Sequence, residues 1–300
     1  MRRGGNGCGT GWRHGERTMV MVVARRTRRA ALLAVLVGCL ACTQGSWAAT
    51  LHEVQSQIAG IVAHPALQGA TVGVCAVSAD RDGVIFRQRG AVPMIPASNM
   101  KLVTVATALE LLGPECVCPV GRDGGERLRS LAGRILKPSD NALADALAAW
   151  LPGAAGRTDL TSRQLAAETW GERDLYLCGA SWLDGSGLER GDKLTADFTV
   201  ALLTYTRAAE GWGGDFERAL PIAGVDGTLR TRMIGTPAQR RVRAKTGTLT
   251  GVSALSGYAD TRAGERLVFS VMMNGFACDK QRVRRMQDMI CVALVGLERE

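Results

Sequence analysis

The sequence predicts an α/β fold in which an antiparallel sheet is built from both ends of the chain, with helices between and around its strands. Alternating apolar residues, broken by a turn, indicate a pair of strands at 71–79 and 83–90. Further strand patterns appear late, at 242–247, 251–260 and 266–275. Helical periodicity fills most of the interval between these two groups, which predicts a helical subdomain beside the sheet.

The helices are predicted from apolar residues that recur at intervals of three and four. The first spans 51–64, and a strong pattern at 101–112 ends at a Gly-Pro pair. The stretch 114–130 is rich in Gly, Arg and Cys, which favours a loop. Further helices are expected at 141–150 (ended by Pro152 and Gly153), 161–170, 195–210 and, as a long closing helix, about 279–297.

The expected organisation is a leader at 1–49 followed by a single domain at 50–300. Within the domain, 50–95 and 220–300 form the sheet part and 96–219 the mostly helical part. Residues 1–49 hold +7 of the net charge of +9. Because positive and negative charges nearly cancel in the remaining residues, no nucleic acid is expected as a partner.

The leader has the layout of an export signal. Four arginines precede an apolar stretch at 30–41, which is too short to span a bilayer as a helix. The segment 46–48 (SWA) fits the small-x-small rule of a cleavage site. An alternative is 36–39 (LVGC), which resembles a lipoprotein box. In that case a lipid on Cys39 would anchor the protein to the membrane. Both routes lead out of the cytoplasm, to the periplasm or the outside face of the cell envelope.

Cysteine and histidine usage limits the chemistry. The six cysteines beyond the leader permit disulfides in an oxidising compartment and leave 15 pairings open; they are Cys75, Cys116, Cys118, Cys178, Cys278 and Cys291. Their spacing fits no zinc template, and no metal is expected. After the leader only His52 and His64 remain, and both lie close to the start of the mature chain. Because a histidine-based triad would need a histidine near the other motifs, this argues against one.

Three short motifs occur once each, at 98–101 (SNMK), 139–141 (SDN) and 245–247 (KTG). Each alone has a plain structural explanation, a capped helix start or a strand-end turn. Together they arise in about one random chain in a thousand, so they indicate a catalytic site. With no suitable histidine, Lys101 is the expected base for Ser98, because residues three apart share one helix face.

The catalytic roles follow from the residue types. Ser98 is the expected nucleophile, and Lys101 activates it when neutral, a state favoured by burial and by a nearby Lys245 cation. Ser139 is expected to relay a proton between Lys101 and the leaving amine. Asn141 is expected to donate its amide to a substrate carbonyl.

The third motif is expected to bind the substrate. A peptide paired with this strand edge would place its C-terminal carboxylate at Lys245 and the hydroxyls of Thr246 and Thr248. Gly247 allows a close backbone approach. The backbone N–H groups of Ser98 and Thr248 are expected to form an oxyanion hole.

The chain resembles the peptidase S13 family of D-Ala-D-Ala carboxypeptidases, the penicillin-binding-protein-4 type. The resemblance is carried by VPMIPASNMKLVTVATALELLGP, LKPSDNALADALA, DGSGLERGDKLTA and LPIAGVDGTLRTRMIGTPAQRRVRAKTGTLTGVSALSGYA, which cover nearly all of 91–260 in order. It implies a serine β-lactamase/transpeptidase-like fold and hydrolysis or transfer of the terminal D-Ala of peptidoglycan stem peptides. It also implies sensitivity to β-lactam antibiotics, and no metal or organic cofactor.

One departure and two alternatives remain. Only 37 residues separate Lys101 from Ser139, where family members usually carry inserted domains. A serine β-lactamase shares all three motifs, but the common type uses a Glu-x-x-x-Asn loop, and none occurs after Asn141. A catalytically idle penicillin-binding sensor or wall-binding protein is the other alternative, which cleavage of a D-Ala-D-Ala peptide would exclude.

Overall fold

The structure is a computed structural model that describes residues 48–121, 124–175, 177 and 179–299. The described residues fall in one compact unit, Trp47–Glu300. The predicted export segment and the lipid site at Cys39 lie outside them. Within the described ranges, none of the helices is long and apolar enough to cross a membrane.

The strands are β1 (Thr71–Ser78), β2 (Val84–Gln88), β3 (Val117–Cys118), β4 (Glu126–Arg127), β5 (Val242–Leu249), β6 (Val252–Asp260) and β7 (Arg266–Asn274). Five of them form an antiparallel sheet in the order β2-β1-β7-β6-β5. Strand β1 pairs with β7 from Thr71 opposite Asn274 to Ser78 opposite Leu267. The predicted fold class, a sheet assembled from both ends of the chain with helices between, is confirmed.

The helices are α1 (Leu51–Val62), α2 (Met100–Leu112), α3 (Leu128–Leu136), α4 (Asn141–Ala154), α5 (Ser162–Gly171), α6 (Ala196–Ala208), α7 (Gly213–Ala219) and α8 (Lys280–Val295). Side chains alternate between the two faces of the sheet, so each face has its own core. On β7, Phe269 and Val271 pack with α1 and α8, whereas Val268 and Met272 pack with the helices that follow Ser98.

One predicted loop and one predicted helix end were wrong. Helix α3 begins at Leu128, inside the stretch predicted as a loop, because its apolar residues find a partner surface in the helical core. Helix α4 runs through Pro152 instead of stopping before it. Proline removes only its own N–H donor, and the turn around it is held by hydrogen bonds from Ala155 N to Leu151 O and from Arg157 N to the Pro152 carbonyl.

The disulfide question is partly answered by the fold. Five cysteines are unpaired in the structure, namely Cys75, Cys116, Cys118, Cys278 and Cys291. Cys178 lies outside the described residues. Three of the five are buried among apolar side chains, where a thiol packs as a small hydrophobic group.

Candidate active site

Ser98 lies in a one-turn 3-10 helix directly before α2. The preceding residue, Ala97, has φ of 46°, a region unfavourable for residues with a Cβ. The surrounding structure holds this turn in place. The buried Asn99 amide donates to Ser256 Oγ on β6 at 2.6 Å, and Gly187 packs so tightly that a Cβ there would lie 1.9 Å from Ala97 O. The nucleophile candidate therefore sits on a strained but well-anchored turn.

The Lys101 amine lies 3.0 Å from Ser98 Oγ. It also donates to Asn141 Oδ1 at 2.7 Å and to the Ser186 carbonyl at 2.6 Å. These last two groups only accept hydrogen bonds, whereas the Ser98 hydroxyl both donates and accepts. A neutral amine can therefore keep both acceptors satisfied and turn its lone pair to the Ser98 proton. This is the geometry that a base needs.

Burial sets the titration of both lysines. Lys101 is fully buried, and burial lowers its pKa to about 8 against the opposing pull of Asp145, Asp184 and Asp140. The pKa of Lys245 is lowered well below its ordinary value, first by burial and then by the charge of Lys101. The sequence had assigned part of the Lys101 shift to Lys245. In the structure, burial is the largest cause at both lysines, and because repulsion between two ammonium groups is mutual, a charge on either lysine lowers the pKa of the other.

The second motif lies in the loop between α3 and α4. Ser139 has φ of 68°, and its hydroxyl accepts a hydrogen bond from Lys245 Nζ at 2.8 Å. Asp140 caps α4, since its carboxylate accepts from Leu143 N at 2.9 Å. The sequence analysis expected Ser139 to relay a proton between Lys101 and the leaving amine. The lysine that hydrogen-bonds with Ser139 in the structure is Lys245.

The third motif lies on β5, which is the edge strand of the sheet. Ala244 N–H points away from β6 and donates to Pro221 O at 2.9 Å. Because N–H directions alternate along a strand, the N–H groups of Thr246 and Thr248 point to the same outer edge. That edge carries Lys245 at its start, so an extended peptide has both backbone partners and a cation within reach.

Gly247 permits a close approach of another backbone segment to β5. A Cβ at this position would lie 2.5 Å from Pro96 O and 3.2 Å from Ala97 Cβ. The neighbouring segment is the turn that carries Ser98. Gly247 therefore brings the edge strand against the nucleophile turn.

One supporting segment was missed in the sequence analysis. The DGSGL stretch supplies the Ser186 carbonyl to Lys101. The Asp184 carboxylate accepts the backbone N–H groups of residues 187–189, and Asp145 accepts Gly185 N–H at 3.0 Å. This stretch was part of the family resemblance. Its contribution to the site is a backbone carbonyl, which every residue has, so the residue types could not predict it.

A second missed set ties the later motifs together. Lys137 Nζ donates to Asp226 Oδ2 at 2.5 Å, and Thr228 N donates to the Lys137 carbonyl at 3.1 Å. The Thr228 hydroxyl in turn accepts from Thr246 Oγ1 at 2.8 Å. The GVDGTL stretch thus fixes the loop of the second motif relative to β5.

A cleft of about 900 Å³ lies beside the second and third motifs. Ser98, Ser139, Thr246 and Thr248 line one part of it. The rest of the lining includes four arginines and one acid, namely Arg230, Arg232, Arg284, Arg285 and Asp288. In the part of the chain that the structure describes, no group of three or more His, Cys, Asp or Glu side chains is placed to hold a metal ion.

Comparison with known proteins assigns the family. The sequence profile of the D-Ala-D-Ala carboxypeptidase 3 (S13) family matches residues 54–117 and 125–295. The chain belongs to this family. The matched residues include all three motifs and both supporting stretches, so the resemblance found in the sequence is confirmed.

Curated relatives in the S13 family match in part. The D-alanyl-D-alanine carboxypeptidase of Actinomadura sp. (strain R39) is 50% identical over 97 residues, which are 31% of this chain and 18% of that protein. Carboxypeptidase DacB of Mycolicibacterium smegmatis is 35% identical over 159 residues, which are 50% of this chain and 33% of that protein. The chain therefore spans a third or less of the length of these relatives.

Solved structures show the same fold. Penicillin-binding protein 4 of Haemophilus influenzae, in complex with a β-lactam, superposes with a TM-score of 0.65 at 16% identity, covering 78% of this chain and 98% of that one. A β-lactamase from Chitinophaga pinensis gives a TM-score of 0.61 at 16% identity, covering 81% and 97%. At such identities the similarity concerns the fold, which both kinds of protein share.

Proposed function

We propose that this S13 protein is a serine D-Ala-D-Ala carboxypeptidase that acts on peptidoglycan stem peptides through an acyl-enzyme on Ser98. The observation that carries the proposal is the Lys101 amine, 3.0 Å from Ser98 Oγ and held by the two acceptors Asn141 and Ser186. A hydroxyl needs such a base to become a nucleophile. The names of the curated relatives agree with this chemistry.

The acylation step uses the residues of the three motifs. Lys101 takes the Ser98 proton as Oγ attacks the carbonyl carbon of the scissile amide. The oxyanion that forms is stabilised by the N–H groups of Ser98 and Thr248. With its oxygen held by Lys101, Asn141 keeps its NH₂ group to donate to the substrate acyl chain. The C–N bond then breaks, D-Ala leaves as the amine, and water hydrolyses the ester.

The substrate carboxylate links binding to catalysis. Bound by the hydroxyls of Thr246 and Thr248, it lies near Lys245 and favours the ammonium form there. That positive charge in turn favours the neutral form of Lys101, which is the form that acts as base. The hydrogen bond from Lys245 to Ser139 gives the leaving amine a proton source. The two lysines therefore titrate as a pair.

Two measurements test the function. Incubation with a stem pentapeptide is expected to release D-Ala, and penicillin is expected to form one covalent adduct, located on Ser98 by peptide mass spectrometry. Ser98→Ala should lose both activities. Ser130→Ala is the matched control, because Ser130 is exposed on α3 away from the cleft. An adduct on another residue, or one undiminished in Ser98→Ala, contradicts the assignment.

The same experiment separates the alternatives. The penicilloyl-enzyme is expected to persist, since no Glu-x-x-x-Asn follows Asn141 to activate a deacylating water. Rapid repeated turnover of penicillin would make the protein a β-lactamase. Acylation by penicillin with no release of D-Ala would make it a sensor or wall-binding protein.

We further propose that the protein is exported, with lipid on Cys39 or with cleavage near Ala49. The arginine-rich segment and apolar stretch of the leader support export. A mature chain that begins near residue 49 would keep the contacts of Ala49, whose N donates to Gly296 O at 2.8 Å and whose O accepts from Glu298 N at 2.9 Å. N-terminal sequencing of the native protein tests this. An active species that keeps residues 1–38 would contradict both routes.

A further inference from the structure

Three arginines on the wall of the cleft form no direct ion pair with a described residue, although Arg284 is near enough to Asp288 to act on the pKa of its carboxyl. Arg230 follows the GVDGTL stretch, whereas Arg284 and Arg285 lie on α8. Among the described residues, no carboxylate oxygen lies within 4.0 Å of these guanidinium groups. The fourth arginine, Arg232, differs, because it pairs with Asp288 at 2.7 Å. The cleft wall therefore carries an excess of positive charge.

The charge exceeds what a terminal D-Ala needs. Arg284 donates to Thr248 Oγ1 at 3.3 Å, which places it beside the proposed position of the C-terminal carboxylate. Lys137, another cation of the lining, is already paired with Asp226. One carboxylate brings one negative charge. Arg230 and Arg285, both exposed, are left unmatched by that substrate.

The volume of the cleft leads to the same conclusion. About 900 Å³ is near the upper end of the range of about 300–1,000 Å³ usual for small-molecule pockets. The leaving residue of a D-Ala-D-Ala peptide fills little of it, since its side chain is one methyl group. The cleft therefore has room for more than this residue, and unmatched positive charge remains in its wall.

We propose that Arg230 and Arg285 form a second anion subsite, which takes a leaving residue that has a side-chain carboxylate in addition to its backbone carboxylate. The inference rests on the proposed function, which sets the direction of the peptide in the cleft. Guanidinium groups suit this ligand because their planar donors bind a carboxylate in pairs. Since both arginines are exposed, their joint effect is about fivefold in kcat/KM.

The test compares peptides that differ only in the last residue. Acyl-D-Ala-D-Glu and acyl-D-Ala-D-Gln have nearly the same shape but differ by one negative charge. The wild-type protein is expected to hydrolyse the D-Glu peptide with a kcat/KM about fivefold higher, and this ratio should fall in 1 M NaCl. Arg230→Gln combined with Arg285→Gln should bring it close to one. Arg282→Gln should keep it, because Arg282 lies on the same helix but outside the cleft.

Each outcome is decisive. Equal rates for the two peptides in the wild type, or an unchanged ratio in the double variant, would overturn the subsite. The proposed function would still stand in that case if the stem pentapeptide releases D-Ala. If none of the peptides is hydrolysed, the proposed activity fails instead. Competition then decides the subsite, since the D-Glu peptide should slow the acylation of Ser98 by penicillin more than the D-Gln peptide does.

Discussion

Replacing Lys101 with alanine is expected to slow the acylation of Ser98 by penicillin by about 10²–10⁴-fold, the usual cost of losing a general base. Among the described residues, Lys101 is the titratable group that hydrogen-bonds with Ser98 Oγ, whereas Lys245 hydrogen-bonds with Ser139 and its own strand. Stopped-flow labelling with a fluorescent penicillin measures the rate. Lys280→Ala, an exposed lysine on α8, is the control and should match the wild type.

The pH dependence of the wild-type rate gives a second readout of the same role. The pKa of Lys101 is lowered by burial to about 8, and only the neutral amine accepts the Ser98 proton. Between pH 6 and pH 8 the second-order rate constant should therefore rise about 50-fold, then level off. Acylation of Lys101→Ala at nearly the wild-type rate, or a flat profile across this range, would show that another group is the base.

Replacing Gly187 with alanine is expected to lower the free energy of unfolding by about 3 kcal/mol or more and to abolish acylation. Gly187 has φ of 83°, which residues with a Cβ rarely adopt, and the added Cβ would lie 1.9 Å from Ala97 O. The two nearest atoms, the carbonyl oxygen and carbonyl carbon of Ala97, cannot rotate away from the added Cβ because both belong to the backbone. The turn that carries Ser98 would have to move. Urea unfolding and penicillin labelling measure the two effects.

A second glycine supplies the matched control for this experiment. Gly133 lies within α3, and apart from its chain neighbours and the backbone of its own helix no atom is within 4 Å of the position where its Cβ would lie. Gly133→Ala should therefore stabilise the protein by about 0.5–1 kcal/mol, through helix propensity alone. If Gly187→Ala unfolds at the same urea concentration as the wild type, the close contact with Ala97 does not hold the nucleophile turn.

The apolar periodicity was enough to predict the sheet and most of the helices. The hairpin of β1 and β2 has alternating residues and a turn, and α2 has an apolar pattern that ends at Gly113 and Pro114. Helix α3 was missed because its short amphipathic run follows a stretch rich in glycine and arginine. Its stability comes from packing on the helical core, which a local pattern does not reveal.

The sequence by itself determined the candidate groups for the chemistry and the one contact between them that is local. Ser98 and Lys101 are three residues apart at a helix start, so backbone geometry alone places the amine beside the hydroxyl. Only the tertiary structure decided the contacts across the chain. Lys101 meets Asn141 from 40 residues away, and Lys245 meets Ser139 from 106 residues away. Only packing removes water from both lysines, and it is this loss of solvation that lowers their pKa values.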